Sequence, residues 1–517
     1  MFTKLLNHEI LNLLKSRRVY LTVIMFLLLF TTVFVVRVLD YQKQVNQYIE
    51  DVKVNDEAMA NIENYSHITP RAIQEPILFS IYNEGYRIQR VINIKFYEAI
   101  IETTSINAER NMLFFPDTEL DITFLITFFL SLFILLISYD SVNGEKQVGT
   151  LRLLMTYPLK RQSFILKKML GVFIFVAFVF TMPYFLSIIS LMVIYANLLT
   201  INFFISAFFY WFLTIFFILF FSLLGIFLST CSKSPNQSLV YAILTWMVLC
   251  IIIPISWDYI ISPSLSNERI HQATQNYHTY TTQAKRAIEH DLPDDANLRL
   301  VPMGIWTSSA GIENDGIHEM SLWGYDETYE QSSRFQSHLY ENYYPLIRAS
   351  EQAYDDVYRV RINTENMMNR VFFFNPIVIF HNLSMKIAGN SRVDHLVFLH
   401  TARELRDDLV NLGATEGWLF DYRFYAHFKE EYNLGSREEM LARFDGDREL
   451  VWEYVNDIEE NAEMYEMEVP VFRKYEQPHF TLAMMIPRIF ESMVLFVGSI
   501  VGLWVVIWWR FLGYDVR

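Results

Sequence analysis

The chain has 517 residues, of which 52% are hydrophobic and 16% aromatic, and its formal charge is −15. Its apolar residues gather into six stretches long enough to cross a bilayer, which takes roughly 20 apolar residues per helix, so an ordinary soluble globule is excluded. The acid excess sits outside those stretches and gives no footing for nucleic acid.

Residues 1–18 place Phe2, Leu5, Leu6, Ile10, Leu13 and Leu14 at helical spacing, with Lys4, Lys15, Arg17 and Arg18 as a cationic side. That pattern predicts an amphipathic helix on the membrane surface. A first span over 19–39 follows. It is too long for a removed signal peptide and lacks a small-residue cleavage site after its apolar core, so it reads as a retained helix. Residues 40–119 form a small outer region. "YQKQVNQYIEDVKVNDEAMANIENY" should extend the first span, two prolines in "ITPRAIQEP" should break it, and "VINIKFYEA" suits a short strand. The second span covers 121–139, and a charged passage occupies 140–168. Spans at 169–196, 202–229 and 238–257 come next, joined by "ANLLTIN" and by a loop at 230–237. Between Met169 and Trp257 the single charged residue is Lys233.

A large outer region, 258–487, carries helical patterning in four segments, beginning "NERIHQ", "YYPLIR", "SRVDHL" and "SREEML". It is ample for its own core. The sixth span, 489–509, leads to a tail at 510–517. The expected fold is an all-α integral membrane protein with six transmembrane helices and a small and a large, mainly helical extracytoplasmic domain. Cys231 falls in a loop and Cys250 inside a span, so the outer regions must hold together by packing rather than disulfides.

Charge sets the expected orientation. Residues 1–18, 139–168, 230–237 and 510–517 together carry 13 Lys/Arg against 4 Asp/Glu. Residues 40–119 and 257–487 carry 27 against 51. Short loops rich in Lys and Arg stay inside, so both termini should be cytoplasmic and both outer regions outside.

The chemistry that remains is narrow. The spans carry essentially no ionisable side chains in their interiors, which counts against an ion-coupled carrier, because coupling ions need such groups. No GxxxxGK[ST] occurs, so the chain should not hydrolyse ATP by itself. HExxH and GxSxG are also absent. His395 and His400 are five apart and do not share a helix face, which suggests solvated or capping histidines. The "DGD" of Asp445–Asp447 lacks the later ligands of a calcium loop and suggests a turn. No catalytic or metal-binding residue is expected on this chain, and no cofactor.

The passage "SYDSVNGEKQVGTLRLLMTYPLKRQSFILKKML" (138–170) is the informative one, with six Lys/Arg against two acids. Gly144 and Gly149 bracket "EKQV" and permit tight backbone. Thr150 should cap a short apolar helix, 151–157, that stops at Pro158. Ser163 should cap a second helix running into the third span. A short amphipathic helix of this kind suits either docking into a groove on a soluble partner or resting on anionic headgroups.

This passage resembles the cytoplasmic loop of ABC-2 type permeases, including those of nitrous-oxide-reductase maturation and gliding motility. The resemblance rests on Tyr139-Asp140, Gly144-Glu145, Gly149-Thr150-Leu151, Pro158, Arg161, Lys168 and Gly171. "SKSPNQSLVYAILTWMVLCIIIPIS" and "FFNPIVIFHNLSMKIAGNSRVDHLVFLHTARELRDDLVN", with Asn375-Pro376, Gly389 and Arg406, are similar to a subgroup with large extracytoplasmic insertions. The resemblance implies that Glu145, Gly149, Thr150, Leu151, Leu153, Leu154, Pro158 and Arg161 couple the chain to a separate ATPase subunit. ATP and Mg would be bound by that partner. It further implies a second permease chain, identical or not, contact with membrane lipid, and a place in the bacterial inner membrane, and the outer domain could meet a periplasmic protein. The rival reading is a mechanotransmission or assembly component, driven by the same kind of ATPase without passing a substrate.

Overall fold

The computed structural model describes residues 2–60, 62, 65, 68–85, 91–95, 100–101, 120–149, 161–289, 337, 339–417, 441–461, 474–477 and 482–512. Six helices in it are long and apolar enough to cross a membrane: Arg17–Ala60, Ile122–Val148, Phe164–Ile194, Ile201–Cys231, Pro235–Ile261 and Met485–Arg510. The fourth lies at the centre, with 72% of its apolar window buried against 17% for the first. Its aromatic face explains why. Tyr210 packs on Phe79, Tyr82 and Tyr184, and Phe217 packs on Phe221 and Phe380.

Helix ends follow local chemistry. Thr200 accepts the amide of Phe203 at the start of the fourth span, and Ser234 accepts that of Gln237 at the start of the fifth, where Pro235 takes the first helical position. The fifth span holds Pro254, which has no amide to donate. Wider π-turns at Val248–Ile252 and Trp257–Ile261 flank it and keep the helix continuous into Ser262–Glu289.

Two spans run on as rods. Arg17–Ala60 has 44 residues, about 66 Å at 1.5 Å per residue, against roughly 30 Å of hydrocarbon, so about half of it stands clear of the bilayer. The fifth span continues likewise to Glu289. That continuation packs along the helix Tyr344–Val371, and both meet the helix Arg392–Glu416 through Ala273, Tyr354, Val357, Tyr358, Phe398 and Leu399. The strand expected in "VINIKFYEA" is Val91–Lys95, here β2. A single strand would leave its amides and carbonyls unanswered, and two antiparallel partners supply them. β1 (Arg71–Ile73) pairs Ala72 with Ile92, and β3 (Ile100–Ile101) pairs Ile101 with Ile94. The "DGD" residues form the turn before the helix Arg448–Asn461, with Asp445 and Gly446 at positive φ.

Two segments that belong in sequence to the outer regions are seated among the spans. One is the turn Leu78–Ile81 with Tyr82. The other is the helix Pro376–Ala388, whose Ile377, Ile379, Phe380, Leu383 and Ile387 join the core of the spans. Asn375 caps that helix through the amide of Ile377, and its amide nitrogen donates to the Leu249 carbonyl at 3.0 Å. Hydrogen bonds link the two segments: Asn83 Nδ2 donates to Ser384 Oγ at 2.7 Å, and Asn390 Nδ2 to the Asn83 carbonyl at 3.0 Å. Gly85, at φ +66, lies so close to Asn390 that a Cβ would overlap its carbonyl oxygen. Buried Arg37 of the first span reaches Glu84 at 2.8 Å and the Ser80 carbonyl at 3.2 Å. One expectation is overturned here. His395 is not solvated but buried against Tyr358 and Phe398, because a buried helix face needs an aromatic-sized filler there.

Candidate functional site

The second span turns out of its α-helix after Ser138, and the next residues are fixed from several directions. Arg18, which opens the first span, donates to the Asp140 carboxylate and to Tyr139 Oη at 2.5 Å, with its guanidinium 5.2 Å from the Tyr139 ring centre. Ser238 of the fifth span donates to the Tyr139 carbonyl at 2.6 Å. Ser229 of the fourth accepts the amides of Val142 and Asn143 at 3.1 and 3.2 Å, and Asn143 Nδ2 donates to Ser232 Oγ at 2.6 Å. These serines satisfy backbone groups that a turning chain would otherwise leave open.

The helix Asn143–Val148 follows and closes at Gly149, whose φ of +82 explains the glycine: a side chain is strained in that left-handed turn. Gly144 lies inside this helix rather than opening a turn. Glu145 pairs with Lys168, and Lys168 also pairs with Glu9 of the amphipathic helix at 2.6 Å. Lys168 is 5% exposed, so both carboxylates are needed to hold its charge. The Glu145 carboxylate is thus engaged within the chain. Glu9 also packs onto Gly171, where a Cβ would come within 3.0 Å of its own.

Of the residues assigned to coupling, Glu145 and Gly149 are thus part of a fixed scaffold. Thr150, Leu151, Leu153, Leu154 and Pro158 lie outside the described residues. Arg161 opens the helix Arg161–Ile194. Ser163 is two residues inside that helix and does not cap it, because the helix starts earlier than the sequence suggested. Arg18, Glu9, Asn143, Ser229, Ser232 and Ser238 were not singled out from sequence as part of this site. For the three serines the one signal was the run of small polar residues in "STCSKSPNQS". Among the described residues, no cluster of three His, Cys, Asp or Glu is placed to hold a metal.

The arrangement can transmit force. Four spans are hydrogen-bonded or ion-paired to residues 139–145 on one side of the bundle, and the amphipathic helix joins them through Lys168, so displacing that passage must move or break those contacts.

Residues 3–516 match a family profile described as "ABC-2 family transporter protein". The chain belongs to this family and is an all-α integral membrane protein. It is also similar to the probable ABC transporter permease protein NosY of Pseudomonas aeruginosa, 48% identical over 56 residues, 11% of this chain and 20% of that protein. The NosY of Stutzerimonas stutzeri is 45% identical over 56 residues, again 11% of this chain and 20% of the relative. The chain thus matches about a fifth of the length of these relatives.

Proposed function

We propose that this protein is the permease subunit of an ATP-driven ABC-2 transporter, with 138–170 as the element that couples a separate ATPase to its spans. The observation that carries this reading is the clamp on residues 139–145. A coupling element must be tied to the moving helices, and Arg18, Ser229, Ser238, Lys168 and Glu9 tie it to four of the six spans and to the amphipathic helix. Membership in the ABC-2 family supports an ATPase partner and a paired permease, and the names of the similar proteins point the same way. ATP and Mg would sit on the partner.

A second reading keeps the ATPase but drops the substrate. The first and fifth spans continue as unbroken helices into the outer regions, which suits relay of a stroke outward as well as it suits transport. Both readings share one test. The chain purified to homogeneity should hydrolyse no ATP, and hydrolysis should appear when its co-expressed ATPase is retained. Hydrolysis by the chain alone, surviving stringent purification with no second protein present, would refute both.

A further inference from the structure

A polar cavity of about 220 Å³ lies where the sixth span begins, lined by Glu365, Arg370, Lys386, Arg392, Arg488 and Glu491 among others. Three of its four cations are matched: Arg392 by Glu365, Arg370 by Glu491 at 2.7 Å, and Arg488 by Asp394 at 2.6 Å. Lys386 is different. Among the described residues its ammonium reaches the Asn366 side-chain oxygen at 3.5 Å and the Arg488 carbonyl at 3.3 Å, both neutral. Among the described residues, no carboxylate lies within ion-pair distance of it. Burial lowers its pKa, and the more distant Glu365, Glu491 and Asp394 only partly oppose that shift. A lysine held there, on a helix otherwise packed among spans, is a positive charge that a bound anion would neutralise.

We propose that this cavity binds a phosphate oxyanion, with Lys386 as the charge that answers it. A lysine acts on phosphate as a point charge and needs no forked geometry. The volume is below that of sites for drug-sized ligands and suits a headgroup or a free ion. A lipid source fits the surroundings. Glu491 and Leu495 line the cavity, while their neighbours on the same helix, Phe490 and Val494, are 65% and 54% exposed and offer an apolar track for an acyl chain. Such a site does not depend on the ATPase coupling proposed above.

The full-length protein, in phosphatidylcholine nanodiscs with and without phosphatidylglycerol, should be released for native mass spectrometry and melted in parallel. The lipid-free protein in detergent should be melted with inorganic phosphate. Wild type should retain phosphatidylglycerol preferentially, and Lys386→Gln should lose about tenfold in that retention, equivalent to about 1.4 kcal/mol. Lys386→Arg should keep most of it. Asn366→Asp, which sets a carboxylate beside the ammonium without removing it, should lose retention as Lys386→Gln does, and it serves if the glutamine variant fails to fold. Stabilisation by phosphatidylglycerol alone assigns the site to a lipid headgroup, and equal stabilisation by inorganic phosphate assigns it to the free ion. Neither ligand stabilising wild type, or both variants binding as wild type does, would overturn the proposal.

Discussion

Arg406 has no exposed surface, yet carries a full charge. Burial alone would lower its pKa, but the charges of Glu351 and Asp407, hydrogen-bonded to it, hold it above the ordinary value. Its partner Glu351 lies 55 residues away, on the helix Tyr344–Val371, so the pair staples two helices of the region 258–487. Arg406→Met should destabilise the region 258–487 by about 2–3 kcal/mol, since Glu351 then keeps only its longer contact to Arg403 and Asp407 only that to Arg348, each at 3.5 Å, whereas adding Glu351→Leu should recover part of that loss. Limited proteolysis of the whole protein against temperature would read both. A single variant that melts as wild type would show that the pair contributes nothing. The arginine was legible as a marked position in the sequence, but its partner was not, because a pairing across 55 residues leaves no local signal. His395 failed for a related reason: a helical histidine reads alike whether its face meets water or Tyr358.

At the scale of elements, the spans were readable because an apolar run of bilayer length is seldom anything but a membrane helix. The same rule hid the helix Pro376–Ala388, whose 13 residues are too short to cross and carry His381, Asn382 and Lys386. Hydropathy alone cannot tell such a segment from a core helix of the outer region, and only its packing on Tyr210 and Phe217 decides. The close approach of the second and fourth spans was equally invisible. A Cβ at Gly225 would overlap the Ser138 side chain, and a glycine in a span does not announce its neighbour. Orientation rests on charge and can be measured directly. Single cysteines at positions 150 and 515 should be shielded from an impermeant thiol reagent in intact cells, and those at 300 and 450 should label. Labelling of 150 together with 450 would put both on one side and contradict this topology.

Taken whole, the molecule joins a pinned passage at one end of its spans to helices that continue unbroken beyond the spans at the other. Between these ends the centre is tightly filled, with Tyr82, Tyr184 and Tyr210 in mutual contact, Phe380 packed on Tyr210, and Tyr82 bonded to Ser187 at 2.7 Å. A push on the passage therefore meets stiff elements rather than slack ones. The direct test is whether 150–157 holds the ATPase. Leu153→Asp and Leu154→Asp would each bury an unpaired carboxylate at such an interface, at a cost of several kcal/mol, while about 1.4 kcal/mol already weakens binding tenfold. Membrane insertion should be unaffected, because the passage lies in sequence between two apolar spans and belongs to neither. In a pull-down of the co-expressed ATPase on the tagged full-length chain, both variants should lose the partner while reaching the membrane at wild-type levels. Retention of the ATPase at wild-type levels by both would contradict the coupling role of this passage.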